Sequence, residues 1–172
     1  ILLSQDEPTH IVNTGSIAGL EFANAAYGVT KHAIVALTES LYVQLKQRGS
    51  QVGVSVLCPG PVNTRIFEGD RNRPAGLQNE VEPPPEAMGI RPLAQMQAIG
   101  MDPALVAEKT LQAIRDERLY VITHPENVER IRGRMQTIIE GRNHARTYCI
   151  VPKTRGVERR RPWQDIVAAV RG

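Results

Sequence analysis

The chain has 172 residues, 41% of them hydrophobic and 23% charged, with a formal net charge of +3. That length can build one domain with a real core, and the composition is that of an ordinary globular chain rather than a disordered or fibrous one. The small positive charge does not by itself imply a polyanionic partner, no apolar run approaches the roughly 20 residues of a membrane span, and no signal peptide is expected from these residues.

The first residue is Ile1 rather than Met, a hint that the start of the natural chain is missing. Residues 1–9 read as a polar lead-in with a turn at Asp6-Glu7-Pro8. A first strand is predicted over His10–Thr14, where Ile11 and Val12 are β-branched. Gly15 and Gly19 then break the pattern, so Ser16 falls where strand gives way to loop. A helix is predicted from about Ala25 to Arg48. Its apolar stripe has Val29, Ala33, Leu37 and Leu41 at four-residue spacing, widened by Ala26, Ala36 and Leu45, with Gly49 as the C-cap. Val52–Cys58 is a nearly continuous apolar run, as in a parallel strand buried on both faces. Strand, long helix and strand make a βαβ crossover, and so a Rossmann-like α/β fold with a doubly wound parallel sheet, here its C-terminal portion.

Residues 65–102 differ from this regular pattern. Six of the twelve prolines fall between Pro74 and Pro103. The segment reads either as disorder or as a lid whose Leu77, Met88, Ile90, Leu93, Met96, Ile99 and Met101 line an apolar substrate pocket once ordered. Asp102 then caps a helix with Pro103 at its first position, running to about Glu117 and burying Val106, Ala113 and Ile114. Leu119–Thr123 reads as a third strand. A last amphipathic helix carries Val128, Ile131, Met135, Ile138 and Ile139 on one face and closes at Gly141. The domain therefore spans 1–141, and 142–172 is a basic tail with Arg159, Arg160 and Arg161 near Trp163. A basic run beside an aromatic can touch nucleic acid, but it is here read as a solvated tail with no nucleic-acid or membrane partner. Cys58 reads as a small buried hydrophobe. Cys58 and Cys149 imply no disulfide framework, so a cytoplasmic location fits. His10, His32, His124 and His144 have no metal-ligand spacing.

Three side chains between Asn13 and Lys31 suit chemistry. Tyr27 and Lys31 are four apart, on one face of a helix. Free Tyr, with a pKa near ~10, is a poor acid or base at neutral pH, but an ammonium held close favours the phenolate. Tyr27 then suits proton exchange with a substrate oxygen, and Ser16 suits hydrogen bonding to the same oxygen. A Tyr-x-x-x-Lys spacing alone is weak. The order of strand, Gly-Ser-x-x-Gly turn, Tyr and Lys is more specific.

Asn13-Thr14-Gly15-Ser16-Ile17-Ala18-Gly19 followed by Ala26-Tyr27-Gly28-Val29-Thr30-Lys31 resembles the catalytic segment of the short-chain dehydrogenase/reductases. Val54-Ser55-Val56-Leu57-Cys58-Pro59-Gly60-Pro61-Val62-Asn63-Thr64 resembles the family's next strand and its Pro-Gly-x-Val-x-Thr turn. The likeness covers roughly residues 9–141. Ten residues separate Ser16 from Tyr27, a slightly shorter loop than the family's usual one.

The resemblance implies hydride transfer between an alcohol or ketone and NAD or NADP. Tyr27 is then the proton donor or acceptor, Ser16 orients the substrate oxygen, and Lys31 holds the nicotinamide ribose. The turn Pro59, Gly60, Val62 and Thr64 holds the carboxamide through the Val62 backbone and the Thr64 hydroxyl. A homodimer or homotetramer, pairing through the Tyr27 helix, is implied as well. No strand–Gly-x-Gly–helix phosphate loop occurs in these residues, so the chain is expected to be the C-terminal part of such an enzyme, with the N-terminal cofactor-binding half missing, and to be inactive alone. The alternatives are a nucleotide-sugar epimerase or dehydratase, which shares Tyr-x-x-x-Lys, and a non-catalytic interaction module.

Overall fold

The computed structural model describes residues 1–5, 7–22, 25–66, 71–77 and 99–143. The chain divides into two units, Ile1–Arg142 and Asn143–Gly172, and nearly all the described residues belong to the first. Three strands form one parallel sheet in the order β1-β2-β3: β1 (His10–Thr14), β2 (Gly53–Cys58) and β3 (Tyr120–Ile122). The register pairs His10 with Gly53 and Thr14 with Leu57, then Val56 with Tyr120 and Cys58 with Ile122. Helix α1 (Ala25–Gln47) crosses from β1 to β2, α2 (Pro103–Arg115) precedes β3, and α3 (Val128–Ile139) follows it. Parallel pairing needs such crossovers, because a short hairpin cannot return the chain to the same sheet edge.

The centre of the sheet is β2. Val52, Val54, Val56 and Cys58 are buried on one side, against Val35 and Leu45 of α1. Ser55 points the other way and is also fully buried. Its hydroxyl donates to the Arg118 carbonyl at 2.6 Å, so it accepts at 2.8 Å from Nε2–H of His10. The expected burial of β2 on both faces therefore holds, with a satisfied polar pair on one of them.

The apolar stripe of α1 is corrected by the structure. Gly28, Val35, Thr38 and Leu45 are the buried positions, with Leu41 and Tyr42 half-buried beside them. Val29 is 71% and Leu37 64% exposed, and Ala26, Ala33 and Ala36 are exposed too. Four residues advance an α-helix by more than one turn, so a strict four-residue spacing drifts about 40° per step. Over the four steps from Val29 to Leu45 it therefore turns from the outward side, at Val29 and Leu37, onto the sheet-facing side only at Leu45.

The helix ends match their sequence signals. Asp102 Oδ1 accepts from the Ala104 N–H at 2.8 Å, with Pro103 in the first turn of α2. Gly49 and Gly141 stand at φ +64° and +61° beyond α1 and α3. On α3, Val128 and Ile131 are half-buried, whereas Met135, Ile138 and Ile139 are exposed, so only its beginning meets the core. Of the expected lid, residues 67–70 and 78–98, with Met88, Ile90, Leu93 and Met96, lie outside the described residues, as does the tail from 144. Leu77 and Ile99 are exposed, and Met101 forms a parallel bridge with Val62.

Candidate active site

Because the three strands are parallel, the segments that leave them emerge at one edge, where ligands of open α/β sheets bind. Here they are tied to one another across the sheet. The Gly15 N–H donates to the Leu57 carbonyl at 2.8 Å, and the Ile17 N–H donates to the Pro59 carbonyl at 2.9 Å. The Gly60 N–H donates to Nδ1 of His124 at 3.1 Å. The Ser16 loop, the Pro59–Thr64 turn and the start of the β3 exit thus form one hydrogen-bonded seam.

Each predicted site residue has a definite place along this edge. Ser16 is only 8% exposed, and its Oγ accepts from the Ala18 N–H at 3.2 Å at the head of the 3-10 turn Ile17–Gly19. Its own hydroxyl proton is left for a further acceptor. Tyr27 and Lys31 come together on α1. Lys31 Nζ lies 5.6 Å from the Tyr27 ring centroid, within cation–π reach. Lys31 Nζ also donates to the Thr14 carbonyl at 3.4 Å, which ties the helix to the end of β1. Tyr27 is 54% exposed. The backbone of Gly19 lies flat on α1. A Cβ added there would stand 2.5 Å from the Lys31 carbonyl oxygen and 2.9 Å from Val35, so the Ser16 loop seats on the Lys31 turn only because residue 19 is glycine.

The turn after β2 is braced on a second side. The Val62–Met101 bridge uses the Pro61 carbonyl, at 3.0 Å from the Met101 nitrogen, and the Asn63 N–H, at 2.9 Å from the Met101 oxygen. In this parallel pattern the Val62 amide takes no part in the bridge. Thr64 is exposed.

Two buried ionisable groups flank the site. Burial pushes the Cys58 thiol up to about 11, although the Ser16 backbone N–H bonded to its sulfur and the Lys31 charge pull it the other way. Cys58 is therefore a protonated, inert thiol at neutral pH, as its reading as a small hydrophobe requires. Glu21, buried to 8% exposure in the loop after Ser16, pairs with Arg130 of α3 at 2.9 Å. Burial raises its carboxyl above the ordinary value, and Arg130 only partly offsets this.

His124, Asn127 and Glu21 are buried polar residues of this edge that sequence reasoning did not single out. The available signal was positional: His124 stands two residues past its strand, as Gly60 does past β2. Its ring packs on the Pro59-Gly60 turn, where a Cβ at Gly60 would stand 2.8 Å from His124 Cγ and 3.1 Å from Asn127 Nδ2. Among the described residues no cluster of His, Cys, Asp and Glu is arranged to hold a metal ion, and no helix is long and apolar enough to cross a membrane.

Comparison with known proteins gives consistent matches. The family model described as short chain dehydrogenase matches residues 2–75. The CLA biosynthesis dehydrogenase/reductase of Lactiplantibacillus plantarum is 28% identical over 145 residues, covering 81% of this chain and 51% of that protein. The C alpha-dehydrogenase of Sphingobium sp. is 31% identical over 143 residues, covering 81% of this chain and 45% of its own length. Among solved structures, a short chain dehydrogenase/reductase from Burkholderia phymatum in complex with NAD superposes with a TM-score of 0.73 at 39% identity, covering 83% of this chain and 52% of that one. The chain spans about half the length of the curated relatives it matches.

Proposed function

Since the chain belongs to the short-chain dehydrogenase/reductase family, we propose that it carries the catalytic segment of an NAD(P)-dependent oxidoreductase that interconverts an alcohol and a ketone. The observation that carries this reading is the pairing of Tyr27 and Lys31 on α1, with Lys31 tied at 3.4 Å to the end of β1 beside the seam of the three strand exits. Family relatives named as dehydrogenases or reductases favour it over an epimerase, a dehydratase or a non-catalytic module.

In this reading the exposed Tyr27 hydroxyl exchanges a proton with the substrate oxygen, taking it from an alcohol or returning it to a carbonyl. Ser16, whose Oγ accepts from the Ala18 N–H and so keeps its hydroxyl proton to give, donates to the same oxygen and fixes its position. The donor set also suits a nicotinamide group. The Val62 amide lies outside the bridge to Met101, Thr64 is exposed, and the Lys31 ammonium has donors beyond the one aimed at Thr14. Pro59, Gly60, Val62 and Thr64 would hold its carboxamide, and Lys31 its ribose beside Tyr27. A bound nicotinamide cofactor would supply or take up the hydride. A homodimer or homotetramer is proposed through the exposed side of α1, and a cytoplasmic setting agrees with the reduced, buried Cys58.

The test is Tyr27→Phe in the full-length protein. It removes the transferable proton and leaves the ring. Turnover is expected to fall by at least ~10²-fold, with an unchanged circular dichroism spectrum. Near-normal turnover in the Phe variant would remove Tyr27 as the acid–base group, and the roles given to Ser16 and Lys31 with it.

A further inference from the structure

His124 begins two residues beyond β3 and is 4% exposed. A backbone N–H can only donate, so the 3.1 Å contact from Gly60 makes Nδ1 an unprotonated acceptor, with the hydroxyl of Thr123 2.7 Å from the same nitrogen. The ring proton then sits on Nε2. That atom is buried and has no hydrogen-bond partner among the described residues. An unmet buried donor is costly, and an apolar side chain of similar size would avoid that cost. What the imidazole provides that an apolar side chain would not is the Nδ1 acceptor for the Gly60 amide. The side of the ring that is satisfied faces Gly60, where the missing Cβ lets turn and ring meet.

We propose that His124 is a positioning residue: through Nδ1 it holds the Gly60 amide, and so sets the shape in which the Pro59–Thr64 turn presents the Val62 amide and the Thr64 hydroxyl to a ligand. Asn127 closes the same pocket from the next turn, and the Val62–Met101 bridge fixes the far end, so Gly60 is the point at which β3 reaches the turn. That the ligand is a nicotinamide rests on the function proposed above; that His124 shapes the turn does not.

Two variants of the full-length protein separate the possibilities. His124→Asn places an acceptor oxygen near the position of Nδ1, whereas His124→Leu fills similar space without one. Amide hydrogen exchange by NMR reads the turn, and titration with NADH and NADPH, together with steady-state kinetics, reads its use. In the Leu variant the Gly60 amide is expected to exchange roughly tenfold faster, as the loss of one buried hydrogen bond implies. The cofactor KM should rise by a similar factor while kcat stays within about threefold, the pattern of lost ground-state binding. His124→Asn should restore both. A Leu variant whose Gly60 amide is as protected as in the wild type overturns the inference, as does an Asn variant that behaves like Leu. If the wild type binds neither NADH nor NADPH, the nicotinamide reading fails, and the exchange of Gly60 still decides for or against the hold of His124 on the turn.

Discussion

Glu21 places a carboxylate where little water reaches, and its environment gives a pH dependence with a definite sign. Desolvation raises its carboxyl above the ordinary 4.5, and the Arg130 ion pair at 2.9 Å recovers only part of that cost. The folded chain therefore holds the Glu21 proton to higher pH than the unfolded chain does. Its contribution to stability is fully present below the ordinary value and is lost as pH rises through the raised one. Compared with Glu21→Gln, which cannot titrate, the wild type is expected to gain stability as pH falls from 7 towards 4. Urea unfolding of both proteins across that range measures it, and parallel curves would show that Glu21 is not desolvated as described.

At the scale of elements, the site depends on how closely the Ser16 loop lies on α1. Gly19 meets the Lys31 carbonyl oxygen and the Val35 side chain with no room for a methyl group. Backbone cannot swing aside as a long side chain can, so loop and helix must separate. Gly19→Ala is expected to cost at least the ~1–3 kcal/mol typical of overpacking, despite alanine's lower backbone entropy cost. It should also lower turnover in the full-length protein, because the turn that carries Lys31 moves away from Thr14. Thermal unfolding and turnover of the variant together check this; a variant as stable and active as the wild type would mean that the loop does not seat on the helix so closely. The same pair of elements explains which side of α1 faces the sheet. The close approach at Gly19 and the packing of Val35 and Leu45 on β2 fix the helix rotation, and so leave Val29 and Leu37 pointing outward.

For the whole molecule, that outward side of α1 is an exposed apolar strip on a helix whose other side is fully used by the sheet. Exposed positions of this kind, continuous over several turns, suit self-association. Leu37→Glu puts a charge in the middle of the strip without touching the core. Light scattering of the full-length protein is expected to give a smaller mass for the variant than for the wild type at the same concentration, with secondary structure unchanged. Equal masses would place the assembly surface elsewhere or remove it.

The strands and helices were legible in the chain alone, to within about two residues at their ends. Apolar runs such as Val52–Cys58, the Asp102-Pro103 start and the glycines at 49 and 141 act through neighbouring residues, and local chemistry is enough to read them. The chain alone also shows that Tyr27 and Lys31 share a helix face, since a four-residue spacing guarantees it. The remaining features depend on residues far apart in the chain. The rotation of α1 follows from Gly19 and β2, not from the helix's own pattern. The seam that joins Gly15 to Leu57, Ile17 to Pro59 and Gly60 to His124 exists because parallel pairing brings three strand ends to one edge. His124 is 64 residues from Gly60, and no local spacing connects them. Its part in the site becomes visible only when the sheet places β3 beside β2.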